Sequence, residues 1–173
     1  MKKIITAIIA ISLLLACLTS CDDNGNIYEM VNYRENGLEL SLPNYMRRSD
    51  IEGYDFYFTN LAIIFTAVKL DAEFLEEKNI SPDITGKEYI DIYVERNGLS
   101  LDRMGYSYDE KNMLHNFRYS YTDGEDMDMF YYVVVVGDVG NVWYIEMVCD
   151  QKNSSRYIES FDVWKKYVST YYE

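Results

Sequence analysis

The chain has 173 residues, of which 49% are apolar and 26% charged, and its 29 acidic and 16 basic side chains give a formal net charge of −13. That length fits one globular domain. The aromatic content of 16% argues against intrinsic disorder. The acidic balance disfavours nucleic acid as a partner, because phosphate binding needs clustered lysine and arginine.

The first twenty residues differ in composition from the rest of the chain. They hold fourteen apolar side chains together with Lys2 and Lys3, and they contain no acid. Residues 4–15 form a largely apolar run that is too short for a permanent membrane helix, which needs about twenty apolar residues. A cationic start, a short apolar run and small residues after it predict a secretory signal peptide over residues 1–20.

The signal peptide ends in a sequence that resembles the bacterial lipobox, Leu-Thr-Ser-Cys at residues 18–21. By this resemblance Cys21 is diacylated and becomes the first residue of the mature chain. Residues 14–17, Leu-Leu-Ala-Cys, also fit, but they abut the apolar run, whereas polar residues 22–24 follow Cys21 directly. We therefore favour Cys21 as the lipidation site. Ordinary cleavage at an A-x-A-like site, with Cys21 as a free thiol, is the alternative.

A lipidated Cys21 implies a location and a first partner. Two or more acyl chains hold a protein stably on a bilayer, so the expected partner is the membrane and the expected location is the cell envelope, outside the cytoplasm. Asp22 and Asp23 resemble either an inner-membrane retention signal or a surface-export signal. The periplasmic face and the outer-membrane surface therefore both remain open.

Division of the chain at Cys21 sharpens the composition. We predict a tether over residues 21–29 and a single domain over residues 30–173. From Cys21 onward the chain has 29 acidic and 14 basic side chains, a net charge of −15, and all 18 tyrosines. Cys17 leaves with the signal peptide and Cys21 takes lipid, so Cys149 stands alone and no intramolecular disulfide is expected.

A hairpin is the first element that the domain sequence predicts. Asn36-Gly37 is a strong signal for a type I′ turn, in which both central residues need positive φ. The turn joins a strand over residues 30–35 to one over residues 38–42, where leucine alternates with polar residues. Pro43 ends the second strand.

The next segment predicts an irregular connection over residues 44–53 and then two strands. Tyr54, Phe56 and Phe58 fall on one face of a short strand. A turn at Thr59-Asn60 leads to residues 61–70, which are rich in Ile, Val and Phe and are predicted as a buried strand.

Two helices are marked by their caps. Asp71 is placed to cap a short helix that carries Phe74 and Leu75. Thr85 and Glu88 have the spacing of a capping box, and Gly98 follows the last turn of that second helix. Its inward stripe is predicted to consist of Ile90, Tyr93 and Val94.

The last third of the chain predicts a three-stranded meander over residues 114–121, 129–136 and 142–149. A long helix is predicted over residues 154–171, with Ser154 as its cap. Its apolar positions repeat at three and four residues: Tyr157, Ile158, Phe161, Trp164, Val168 and Tyr171. This order of elements indicates an α+β domain.

These elements resemble a known family. The order of elements is similar to the PsbP-like or Mog-like α/β/α sandwich with a mostly antiparallel sheet. The resemblance rests on a hairpin closing on residues 38–43 (Leu-Glu-Leu-Ser-Leu-Pro), a mid-chain helix ending at Asn97-Gly98, a meander and a terminal amphipathic helix. Among bacterial lipoproteins the chain is similar to the DcrB-type group. The family often has Ser-Phe on its final segment, whereas Ser160-Phe161 here falls inside the last helix. The resemblance implies a binding, assembly or chaperone-like role without a shared catalytic motif.

The residues themselves point to no catalytic site and no cofactor. His115 is the single histidine and is predicted as a strand residue, and Cys149 as an inert buried thiol. One histidine and one lone cysteine cannot supply a zinc site. The acidic turn at residues 123–128 has oxygen ligands that suit calcium, but its spacing is not that of an EF-hand, so we interpret it as a solvated hairpin tip.

Tyrosine makes up about 12% of the predicted mature chain, several times its ordinary share. Tyrosines line sheet cores with their hydroxyls at the rim, and they also form binding faces; the composition allows both. The function that we expect is a membrane-anchored, non-catalytic binding or assembly lipoprotein, whose acidic surface attracts a protein partner with a basic face. An immunity or inhibitor lipoprotein that neutralises a secreted antibacterial toxin is the alternative.

Overall fold

The structure, a computed structural model, describes residues 19–21, 27–100, 103–122 and 128–172. The first two strands are β1 (Thr19–Cys21) and β2 (Ile27–Glu35). Strand β1 lies in the region predicted as signal peptide and tether. Residues 1–18 and 22–26 lie outside the described residues. Of the predicted tether, Ile27–Glu29 already belong to β2, so the first strand of the predicted hairpin begins three residues earlier than expected.

The remaining elements follow in chain order, and all sheet pairings are antiparallel. The strands are β3 (Leu38–Pro43), β4 (Arg47–Arg48), β5 (Phe56–Thr59), β6 (Ile63–Lys69), β7 (Ser107–Asp109), β8 (Leu114–Thr122), β9 (Asp128–Val136), β10 (Trp143–Asp150) and β11 (Ser169–Thr170). The helices are α1 (Ala72–Glu77), α2 (Gly86–Arg96) and α3 (Ser154–Trp164).

Two sheets and three helices of the described residues build the α+β layers. The larger sheet has the order β4-β5-β6-β10-β9-β8-β7, and the smaller has the order β1-β2-β3-β11. One face of the larger sheet packs with α3 and the smaller sheet around Trp143, Phe161 and Trp164. The other face packs with α1 and α2 around Phe117 and Ile90. The predicted hairpin therefore forms its own layer instead of joining the main sheet.

The predicted turn and cap signals are confirmed. Asn36 and Gly37 have φ values of 54° and 91°, as a type I′ hairpin requires. The Asp71 side chain accepts a hydrogen bond from the Phe74 amide at 2.8 Å, and Thr85 with Glu88 forms the reciprocal capping box at the start of α2. These local signals fix where the hairpin turns and where α1 and α2 begin.

The end of the last helix was predicted wrongly. Helix α3 stops at Trp164, a 3-10 turn follows over Lys165–Tyr167, and Val168 is extended. The chain then pairs as β11 with Glu39 and Leu38 of the smaller sheet. Val168 still reaches the core, but from a strand approach rather than from a helix face. The four-residue spacing between Trp164 and Val168 therefore matched a helical repeat, although Val168 is not in a helix.

Three smaller expectations also differ from the structure. A 3-10 turn over Gln151–Asn153, capped by the Asp150 side chain, precedes α3, so Ser154 is the first residue of that helix and not its cap. Tyr54 lies before β5 and is 43% exposed, because the strand begins at Phe56. Leu61 lies in the turn before β6 and is fully exposed. The Asn60 side chain accepts hydrogen bonds from the backbone N–H groups of Ala62 and Ile63, which closes a turn at this position instead of extending the strand.

Candidate functional site

Tyrosines from one helix and three strands converge on the helix-covered face of the larger sheet. Tyr93 of α2 lies 5.3 Å from Tyr144 of β10 and 6.4 Å from Tyr119 of β8, measured between ring centroids. Tyr119 in turn stacks on Tyr131 of β9, with centroids 4.8 Å apart and planes 2° from parallel. Together with Glu146 of β10 these four tyrosines form what we call the tyrosine–glutamate surface.

Hydrogen bonds run through this surface and end on a carboxylate. The hydroxyls of Tyr119 and Tyr93 lie 2.6 Å apart, and Tyr93 is also hydrogen-bonded to Tyr144. The Tyr144 hydroxyl donates to the Glu146 carboxylate. Burial raises the pKa of Tyr119, Tyr93 and Tyr144, so these phenols are neutral at physiological pH and act as hydrogen-bond donors.

Glu146 is an unusual residue for its position. It lies in a central strand of the larger sheet, opposite Thr66 of β6 and Val133 of β9. Burial raises its pKa, and the hydrogen bond from Tyr144 offsets that effect only in part. In the described part of the chain no lysine, arginine or histidine forms an ion pair with it. A desolvated carboxylate without a cation costs stability, and such groups concentrate at functional sites.

The surface is open on one side. Helix α2 covers Val133, Val135 and Phe117, which are fully buried, whereas Ile64, Tyr119 and Tyr131 remain partly exposed. Tyr121, on the same face of β8, is 58% exposed. A lysine or arginine from outside could therefore approach the Glu146 carboxylate across aromatic rings, and rings of this kind attract cations through their faces.

His115 lies at the other end of the same face, next to the start of α2. It is 8% exposed, its Nδ1 lies 2.8 Å from the Tyr106 hydroxyl, and its ring stacks on Tyr108 at 4.3 Å. A cavity of about 460 Å³ adjoins it, lined also by Gly86 and Lys87. Burial, followed by the charge of Lys87, lowers the pKa of His115. The predicted strand position of His115 is confirmed, and within its strand the side chain is buried and hydrogen-bonded instead of facing solvent.

Cys149 and His115 do not meet. His115 pairs with Val135 and Cys149 with Phe130, five positions apart along β9, or roughly 16 Å at about 3.3 Å per residue. The two side chains also belong to opposite faces of the sheet, because Cys149 packs in the core with α3. Burial raises the pKa of the Cys149 thiol to about 11, so the thiol is protonated and unreactive.

No three His, Cys, Asp or Glu side chains come together as a metal site among the described residues. Of the acidic turn, residues 123–127 lie outside the described residues, and Asp128 accepts a hydrogen bond from Thr122. Cys21 lies in β1, with its backbone opposite Ile27. In the part of the chain that is described, no helix has both the length and the apolarity to cross a bilayer.

Glu146 is not among the candidate residues predicted from sequence, although its strand carries a signal. In strand residues 143–149, Trp-Tyr-Ile-Glu-Met-Val-Cys, it is the only charged residue, in a segment whose two faces are both apolar. The tyrosines lie in both environments: Tyr132 is 1% exposed and donates to Asp162 at 2.6 Å, whereas Tyr121 is 58% exposed.

Comparison with known proteins identifies the fold. No protein-family model and no curated protein matches the sequence. Among solved structures, the cyanobacterial PsbP (CyanoP) of Synechocystis sp. PCC 6803 has a TM-score of 0.55 at 14% identity, covering 90% of this chain and 99% of that one.

Two further structures superpose less well. PA94 of Pseudomonas aeruginosa, described as a putative regulator, has a TM-score of 0.48 at 11% identity and covers 83% of this chain and 99% of its own. LpqN of Mycobacterium tuberculosis, described as involved in cell envelope biogenesis, has a TM-score of 0.38 at 12% identity, with 84% and 92% covered. The likeness to CyanoP establishes a PsbP-like α+β fold, as the sequence predicted.

Proposed function

We propose that the protein is an envelope lipoprotein, held outside the cytoplasm by acylated Cys21, whose PsbP-like domain is a non-catalytic binding module for a protein partner with a basic face. The observation that carries the binding role is the Glu146 carboxylate, desolvated among tyrosines and without a cation in the described part of the chain. The lipobox at residues 18–21 carries the anchoring role.

The chemistry of the surface supports a cationic side chain as its ligand. A partner lysine or arginine would bring to Glu146 the charge that the domain does not provide, and a charge-assisted hydrogen bond is about twice as strong as a neutral one. Tyr119 and Tyr131 would contribute ring faces at the open side of the site. Tyrosine is also a residue type in which binding hot spots are enriched.

The overall charge supports the same class of partner. A net charge of −15 on the predicted mature chain produces a field that accelerates the approach of a basic protein. This long-range attraction is screened by salt, whereas the contact at Glu146 is short-ranged and largely desolvated. Association should therefore slow with added salt more than dissociation accelerates.

A photocrosslinking experiment tests the proposal. A photoreactive amino acid at position 121, on the exposed rim of the surface, would capture the partner from intact cells that produce the acylated protein. The informative variant is Glu146→Gln, which keeps the acceptor for Tyr144 but removes the charge. Its matched control is Glu159→Gln, an exposed acid on α3, which packs against the opposite face of the sheet.

We expect one dominant crosslinked protein with a basic face, at least tenfold reduced by Glu146→Gln and unchanged by Glu159→Gln. Equal capture by the two variants would show that Glu146 does not recognise the partner. Capture of a secreted toxin would instead favour the immunity function.

A further inference from the structure

The start of β2 and the proposed lipid anchor lie at one end of the domain. The backbone of Cys21 is paired with Ile27, and only residues 22–26 separate the two. Even fully extended, the six steps from Cys21 to Ile27 span about 20 Å. A diacylated Cys21 therefore keeps this end of the domain within about 20 Å of the headgroups, closer than a tether reaching residue 29 would require.

The same end carries a fully exposed apolar side chain. Tyr28 of β2 and Tyr45, which follows β3, meet edge to face at 5.1 Å. With Asn60, Tyr157 and other residues they line a cavity of about 170 Å³, so the turn before β6 lies beside the start of β2. Leu61 projects from that turn and is fully exposed.

The turn that carries Leu61 is held in place. Asn60 Oδ1 accepts hydrogen bonds from the backbone N–H groups of Ala62 at 2.8 Å and Ile63 at 2.7 Å. The backbone N–H of Asn60 donates to the Ile63 carbonyl at 3.0 Å. Leu61 is therefore presented by a fixed loop, so little conformational freedom is lost when it is buried.

The neighbouring side chains are those that suit a bilayer interface. Tyr45 is 38% exposed, and tyrosine is enriched at headgroup level, where its ring is buried and its hydroxyl is hydrated. Arg47, opposite Thr59 at the same end, and Arg156 are exposed. Long cationic side chains lay their stems along apolar groups and extend their charges towards polar headgroups.

We propose that this end of the domain, defined by Tyr45, Arg47, Leu61 and Arg156, rests on the bilayer with Leu61 inserted at the boundary between headgroups and acyl chains. The proposal rests on the proposed lipidation of Cys21. The occupant is the membrane rather than a protein, because the short link from Cys21 to β2 makes the bilayer the surface nearest to this end whenever the chain is acylated.

The acids at this end define which bilayer suits it. Two acids lie at the same end of the strands as Ile63. Asp150, at the end of β10, forms an ion pair with Lys152, and Asp128 is at the start of β9. Carboxylates near the surface repel anionic lipid. Because Arg47 and Arg156 lie at the same end and balance these acids, the insertion of Leu61 needs no anionic headgroup, and phosphatidylcholine vesicles suffice to test it.

An environment-sensitive fluorophore tests the docking. Leu61→Cys is labelled on the acylated protein and measured in phosphatidylcholine vesicles, with Val139→Cys as the matched control. Val139 is 42% exposed in the turn between β9 and β10, at the opposite end of the strands. The buried Cys149 thiol, with its pKa raised to about 11, reacts slowly with the label.

We expect a blue-shifted emission at position 61 and quenching by brominated lipid several-fold stronger than at position 139. If both labelled proteins sediment with the vesicles but the two probes are quenched equally, the docking is wrong while the anchoring stands. If neither protein sediments with the vesicles, the anchoring itself is wrong and the docking falls with it.

Discussion

The Tyr144 hydroxyl donates a hydrogen bond to the carboxylate of Glu146, two residues along the same strand and on the same face of the sheet. Tyr144 contacts Tyr89 and Tyr93 of α2, and Glu146, two residues further along the strand, is half-buried. The strand thus holds a carboxylate that is largely desolvated and still in reach of solvent. A group in that position lowers stability and gains from an external cation.

Replacement of Glu146 by glutamine should stabilise the domain at neutral pH. Burial raises the pKa of Glu146 above its ordinary value of 4.5, so the folded state binds the proton more tightly than the unfolded state does. The stability of the natural protein therefore falls as pH rises from about 4.5 through the folded pKa.

Thermal unfolding measured from pH 4 to pH 8 checks this expectation. The melting temperature of Glu146→Gln should exceed that of the natural protein at pH 7, and the difference should shrink towards pH 4. A variant less stable than the natural protein at pH 7 would mean that the carboxylate has a cation in the isolated domain.

Tyr93→Phe should destabilise the domain by about 1–3 kcal/mol, because it removes the hydroxyl that joins Tyr119 to Tyr144 and takes from the largely desolvated Tyr119 hydroxyl its hydrogen-bond partner. Urea unfolding followed by circular dichroism measures the change. The control is Tyr121→Phe. Tyr121 is 58% exposed, so this substitution should lower the free energy of unfolding by no more than about 0.5 kcal/mol. Equal losses in the two variants would contradict the role of the hydrogen-bonded chain.

Asn141 joins both sheets of the domain. Its side chain accepts a hydrogen bond from the Trp143 indole at 3.2 Å and donates to the Tyr171 carbonyl at 3.1 Å. Asn141→Ala should lower the free energy of unfolding by about 1–3 kcal/mol, because it leaves the buried indole N–H unpaired. Asn112→Ala, in an exposed turn, should change it by less than about 0.5 kcal/mol in the same urea titration.

His115 should make the domain less stable in acid. Its pKa is lowered from 6.5, chiefly by burial, so below pH 6.5 the unfolded chain takes up a proton that the folded state resists. Stability is therefore greatest above pH 6.5 and declines as the pH falls. His115→Phe, which keeps an aromatic ring against Tyr108, should flatten this decline between pH 5 and 7 in thermal unfolding. An unchanged decline would assign it to other groups.

Local chemistry accounts for the parts of the fold that the sequence predicted. The Asn36-Gly37 turn and the Thr85–Glu88 capping box depend on residues that are adjacent or three apart, so their geometry is specified by the local sequence itself. The alternation of Leu38, Leu40 and Leu42 likewise places one face of β3 in the core.

Elements that depend on distant partners could not be predicted in this way. Ser169–Thr170 form a strand because Glu39 and Leu38 offer an unpaired edge, which no pattern within residues 154–171 shows. The surface around Glu146 is likewise assembled from α2 and three strands of the meander. A single charge in the middle of an apolar strand marked its position, but its tyrosine partners are up to 53 positions away in the sequence.

The most direct test of anchoring through acylated Cys21 is the fractionation of cells that produce the natural protein or Cys21→Ser, each labelled metabolically with an alkyne analogue of palmitate. We expect the natural protein to carry the label and to sediment with membranes, and Cys21→Ser to lose the label and to leave the membrane fraction. A Cys21→Ser protein that still carries the label and still sediments with membranes would contradict anchoring through Cys21.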